Sequence, residues 1–207
     1  PYTGTTTVNN GVLKLDNGTN TLAVGVGATG AAMVVNAGGT LDLNGNVQVV
    51  GSLSSIGAAV NAAVAGGTIT SNTNAGTLVT VGAGATAFSG SITGTSVNFI
   101  KSGATANTLT LLGANTYGGT TLINGSSVIL NDNGALVNTS AIDINYGALV
   151  LTNSGLTNNG NRINDAADIT MRGGSIAFTG RDQTASSETF DVLNLAQGNN
   201  RINVAVG

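Results

Sequence analysis

Short runs that alternate apolar and polar residues recur from one end of the chain to the other. Val12-Leu13-Lys14-Leu15, Thr21-Leu22-Ala23-Val24, Met33-Val34-Val35, Thr40-Leu41-Asp42-Leu43 and Val47-Gln48-Val49-Val50 open the series. Thr68-Ile69-Thr70, Thr77-Leu78-Val79-Thr80, Leu109-Thr110-Leu111, Val128-Ile129-Leu130, Ala141-Ile142-Asp143-Ile144 and Ala148-Leu149-Val150-Leu151 continue it. Asp168-Ile169-Thr170-Met171, Ser175-Ile176-Ala177-Phe178, Val192-Leu193-Asn194-Leu195 and Ile202-Asn203-Val204-Ala205-Val206 complete it. A period of two belongs to a strand with one buried face. Between the runs stand Gly-Gly, Asn-Gly and Asn-Ala-Gly, which supply the positive φ of tight corners. The one helical candidate, Ile56 to Ala65, is Ala-rich, but Gly66-Gly67 closes it and no charged face accompanies it. It reads as a loop, and the chain as all-β.

Two phrases repeat along this pattern. Tyr2-Thr3-Gly4-Thr5-Thr6-Thr7-Val8-Asn9 returns as Tyr117-Gly118-Gly119-Thr120-Thr121-Leu122-Ile123-Asn124, and each copy leads through an apolar-rich run to Asp-Asn-Gly, at Asp16-Asn17-Gly18 and Asp132-Asn133-Gly134. Self-similarity of this kind marks an array in which each unit buries its apolar face only against its neighbours. Sandwiches and closed barrels usually carry longer strands and aromatic anchors, whereas aromatics are 3% of this chain. Strands this short with Gly and Asn corners suit a parallel β-helix, whose coils pair at about 4.8 Å. Coils of about 20 to 25 residues would give roughly nine turns and a rod about 40 to 45 Å long.

The phrases resemble the autotransporter-associated β-strand repeat of bacterial surface proteins. The match runs through Phe88-Ser89-Gly90-Ser91-Ile92-Thr93-Gly94, Ile100-Lys101-Ser102-Gly103, Leu109-Thr110-Leu111 and Gly113-Ala114-Asn115-Thr116-Tyr117-Gly118-Gly119-Thr120-Thr121. Similar phrases lie near residues 1–16, 88–131 and 168–206, so 1–207 reads as a single β-helical repeat segment. Ala104 to Asn107 departs from the family pattern, where Gly is usual. The resemblance implies a right-handed parallel β-helix, a solenoid displayed outside the cell as a segment of a longer rod. It implies no catalytic activity.

Composition narrows the chemistry. Charged residues are 7% of the chain and the net charge is −3, with six Lys and Arg scattered along it, so the cationic face that nucleic acid requires is missing. No apolar stretch is long enough for a membrane-spanning helix, and no signal segment opens the chain. Starting at Pro1-Tyr2, inside a repeat phrase, suggests a piece of something longer. Without Cys there are no disulfides or thiolate metal sites, which suits secretion through a periplasm. Without His as well, the commonest bases and metal ligands are absent.

Each remaining candidate has a bland reading beside it. Asp165, Asp168 and Arg172 could serve a polysaccharide-cleaving site as acid, base and clamp, but they read better as a solvated corner. The two Asp-Asn-Gly phrases supply too few oxygens for calcium and read as turns. Asn-Arg-Ile-Asn, at Asn161 to Asn164 and Asn200 to Asn203, could set two guanidinium groups on one face; repetition of the coil explains it equally well. Thr5-Thr6-Thr7 and Thr68-Ile69-Thr70 are too irregular for an ice-binding array, and Tyr2, Tyr117 and Tyr146 form no evident sugar platform. The expectation is therefore a non-enzymatic structural segment of a secreted or cell-surface bacterial protein, without catalytic, cofactor or metal residues. It would act as a stiff stalk or fibre-forming unit whose copies self-associate. The alternative is an adhesin for glycans or host surfaces that uses corner loops such as Asn72 to Gly76; a polysaccharide-cleaving enzyme stands behind both.

Overall fold

The computed structural model describes residues 4–22 and 30–207, so Tyr2 and the Ala23-Val24 end of the second run lie outside it. Among the described residues every regular element is a β-strand, and all strand ladders are parallel. The chain winds about eight turns of a parallel β-helix with three faces. On the first face Thr6–Val8, Met33–Val35 and Leu53–Ser54 form one sheet. Ser55 then donates its N–H to the Ala87 carbonyl (3.2 Å), next to a second sheet of Ala85–Phe88, Thr108–Leu111, Ser127–Leu130, Ala148–Thr152, Ser175–Thr179 and Arg201–Ala205. The second face runs from Gly11–Lys14 through Gly39–Asp42 and Thr68–Thr70 to Ser91–Ile92, then Ala114–Asn115 and Ala135–Leu136. The third is one unbroken seven-stranded sheet from Val47–Val50 to Leu193–Gln197.

Stacking in register is what makes the core. On the first face Phe88, Leu111, Leu130, Leu151 and Phe178 lie over one another. On the third, Leu78, Phe99, Thr121, Ile142, Ile169 and Leu193 do the same. Most of these side chains are fully buried, each apolar one stabilising the fold by roughly 1.5–3 kcal/mol relative to exposure. A narrow interior lined by single residues leaves little room for rings; Phe99 and Tyr117 meet at 6.3 Å between centroids.

Turn length varies more than the even spacing of the runs implies. Thr108 lies under Ser127, 19 residues on, while Ala148 lies under Ser175, 27 residues on. Long corners at 55–66, 153–162 and 180–190 absorb the excess, which is why the chain makes about eight turns instead of nine. The repeated phrase also changes phase. Thr6–Val8 belongs to the first face, but its later counterpart, Thr121–Asn124, belongs to the third. The recurring unit is thus strand, turn and strand, shorter than a coil. Asn-Arg-Ile-Asn behaves likewise: Ile163 bridges to Leu136 on the second face, while Arg201–Ala205 closes the first. Neither a shared face nor repetition of the coil accounts for that phrase.

Several inward positions are polar. Asn115 is fully buried between Ile92 and Leu136, accepts the Ile92 N–H (3.0 Å) and donates to the carbonyls of Gly113 and Ala135 (2.9 and 3.1 Å). Tyr117 is buried with its hydroxyl 2.6 Å from Thr121 Oγ1, which in turn lies 2.9 Å from Thr139 Oγ1. The Asn and Tyr of the Gly-Ala-Asn-Thr-Tyr phrase are therefore fasteners between turns.

Lys101 is the misfit. It occupies an inward place on the third face between Thr80 and Ile123, and its Nζ reaches the Ser102 carbonyl (3.1 Å) with no carboxylate beside it. Burial pushes its ammonium below the ordinary value of 10.5. The unfolded chain then holds this proton where the folded chain does not, so stability should rise with pH from the lowered value up to 10.5. Lys101→Met should raise stability at neutral pH by about 1 kcal/mol or more and abolish that rise. Urea titrations of both proteins between neutral pH and pH 10 check this; identical curves would remove the interior charge from the account.

Candidate functional site

The carboxylates singled out in the sequence do not converge. Asp168 and Arg172 begin and end one strand, four residues or about 13 Å apart along it. Arg172 pairs with Asp143 on the neighbouring turn and also reaches Asn145 (3.4 Å). Asp168 accepts the Val192 N–H (3.3 Å), and Asp165 is an exposed corner residue. Asp16 pairs with Lys14 and accepts from Asn44 Nδ2 (2.7 Å), and no three acidic side chains gather among the described residues. The corner near Asn72 is occupied internally: Asn72 Nδ2 donates to Asp42 (3.0 Å), and Ser71 Oγ to the Asn74 carbonyl (2.6 Å). Tyr117 is buried and Tyr146 exposed, so the two described tyrosines form no platform.

What the chain does build is a groove, and it follows from the unequal corners between the first and second faces. Three successive turns cross that corner tightly, at Ser89-Gly90, Leu112-Gly113 and Asn131 to Gly134. The turns on either side cross it by long excursions, 55–66 and 153–162. The short corners form a floor and the excursions form two walls around about 610 Å³. This lies in the range of small-ligand pockets. One wall is the Ala-rich segment, which is a loop as its sequence suggests, and Ile56, Val60 and Val64 on it are exposed.

Asp132 ties the walls to the floor. Its carboxylate is almost fully buried and accepts the Asn61 N–H (2.9 Å) from one wall and the Leu156 N–H (2.6 Å) from the other. To do so it sits at a φ of 48°, while Asn61 and Ala63 in the loop stand at 64° and 51°. For an alanine that region costs about 1 kcal/mol, so the fastening at Asp132 holds the loop against a local preference.

Beneath the floor lies Arg162, completely buried. Its Nε donates to Asn153 Oδ1 (3.0 Å), Nη1 to the Gly134 carbonyl (2.6 Å), and Nη2 to the carbonyls of Asp132 (3.1 Å) and Thr157 (3.3 Å). The backbone N–H groups of Arg162 and Ile163 donate to the Glu188 carboxylate (2.8 and 2.9 Å). Burial pushes the guanidinium below its ordinary value, and Glu188 and Asp132 oppose that shift. Burial likewise raises Glu188, against its two N–H bonds and Arg162; Asp165 adds to the rise. Nothing in Asn161-Arg162-Ile163-Asn164 announces an interior cation. Two of its acceptors, the Gly134 and Asp132 carbonyls, lie in the preceding turn, and the other two, Asn153 and Thr157, are brought to it only by the path of the long corner. Asp132, by contrast, was visible as a turn residue, and its structural work exceeds that reading.

No family model, curated protein or solved structure matches the chain.

Proposed function

We propose that the chain is a non-enzymatic structural segment of a secreted or cell-surface bacterial protein, a rigid β-helical stalk or fibre-forming unit. The observation that carries this reading is the third face, a single sheet that continues through seven turns with one register shift, at Met171-Arg172 in its last pair. A core continuous along such a ladder transmits load from turn to turn, and no turn can tilt without disturbing both neighbours. Several chemistry-bearing side chains are spent inside the scaffold. Arg162, Asn115 and Tyr117 fasten turns, and Asp132 fastens loops. Resemblance to the autotransporter-associated repeat supports placement outside the cell. Low charge lessens repulsion between neighbouring rods and favours lateral packing of copies.

Two measurements test this. Antibodies raised against the purified chain should label intact cells of the source bacterium; labelling only after lysis would overturn the surface placement. Sedimentation of the purified chain should show association that grows with concentration. A monomer at the highest attainable concentration removes the fibre-forming role.

A further inference from the structure

We propose that the groove between the 55–66 and 153–162 loops binds a short stretch of neutral oligosaccharide lying along the rod. This stands apart from the stalk reading, since a stalk with an empty groove is still a stalk.

Three features choose the occupant. The lining is amphipathic in the way a sugar is. Ala63, Val64, Ala114 and Leu156 offer aliphatic surface to the C–H face of a ring, while Ser89 and Asp132 offer polar atoms. Ser89 Oγ is buried in the groove without any hydrogen-bond partner, and a buried orphan hydroxyl costs stability unless something meets it. Each Asp132 carboxylate oxygen already accepts one N–H and keeps a lone pair for a hydroxyl donor.

Charge comes second. No Lys or Arg lines the groove, and Arg162 below it has its three guanidinium nitrogens on protein acceptors. An anionic polymer would meet the Asp132 carboxylate, and the one guanidinium against the wall, that of Arg181, already donates to the Gly155 and Leu156 carbonyls (3.1 and 3.4 Å). The third feature concerns the main chain. The floor's N–H groups are engaged: Leu112 N–H goes along the rod to the Phe88 carbonyl (2.9 Å) and Asn131 N–H to the Leu111 carbonyl (3.2 Å), while the Asp132 and Gly134 N–H groups turn back to Asn131 (both 2.6 Å). A peptide would find no open strand edge to extend. The floor crosses three turns, about 10 Å between the outer two at ~4.8 Å each, which suits a chain of sugars better than one ring.

The test is titration of the purified chain with malto-, cello-, manno- and chito-hexaose, with heparin hexasaccharide and an unstructured peptide as comparators, followed by amide chemical shifts. The neutral hexaoses are expected to include at least one binder. Its shifts should cluster at Ser89, Leu112 to Ala114 and Asp132-Asn133. Ala114→Trp, which fills the groove from an exposed position, should weaken it at least tenfold with the melting curve unchanged, and Asn133→Ala is a milder second variant. No binding by any neutral hexaose overturns the proposal. So does a preference for heparin or peptide, or shifts that cluster elsewhere; the shift map decides the matter if the Trp variant fails to fold.

Discussion

Arg162→Leu should destabilise the chain by about 3–5 kcal/mol, a large fraction of the stability of an ordinary domain. The leucine fills part of the volume but leaves the carbonyls of Gly134, Asp132 and Thr157, and Asn153 Oδ1, without this donor in a place closed to water. Glu188 would keep its backbone donors and lose a nearby positive charge. Lysine should rescue little, because one ammonium cannot reach acceptors spread around a planar fork. Arg172→Ala is the matched control. Arg172 and Asp143 are 36% and 40% exposed, and a pair so wet contributes about 0–1 kcal/mol. Urea unfolding of the three variants checks the ranking. If Arg162→Leu and Arg172→Ala cost the same, the buried fork is not what holds the floor of the groove.

Gly90→Ala should cost about 3 kcal/mol or more, an unusually large effect for a single methyl group. At the corner between the first and second faces, Gly67, Gly90, Gly113 and Gly134 occupy successive turns, and the added carbon would press on backbone at each. At Gly90 it would overlap the Gly67 carbonyl oxygen and stand 2.5 Å from Phe88 Cζ, so neither turn has a flexible side chain to yield. Gly84→Ala is the contrast. It has open space around it and suffers only from a φ of 81°, which costs about 1–2 kcal/mol. Thermal melts of both variants give the comparison, and equal losses would mean that close approach of the turns is not limiting.

How far the residues foretold this depends on the range over which each feature is decided. Alternation gave away Val47–Val50, Thr77–Thr80, Ala141–Asn145 and Ala148–Thr152, because a strand with one buried face carries its own evidence. Leu53–Ser54, Ala114–Asn115 and Ala135–Leu136 are two residues long, too short for any period, and exist only because neighbouring turns pair with them. Lys101 was legible in principle: it shares parity with Phe99 in Asn98–Ser102, so it had to point inward if Phe99 did. Arg162 was not, since its acceptors lie up to 30 residues away. The groove was hidden for a related reason. It arises from differences in corner length between turns, and a run-by-run reading treats each corner alone.

The shift of the repeated phrase from the first face to the third has a consequence for how such rods change over generations. If the unit copied in the gene is a fraction of a turn, recombination between copies need not insert whole turns. Each event can also rotate everything downstream by one face, carrying the long corners to a different side of the molecule. Lengthening the shaft and re-aiming what projects from it would then be a single mutational step.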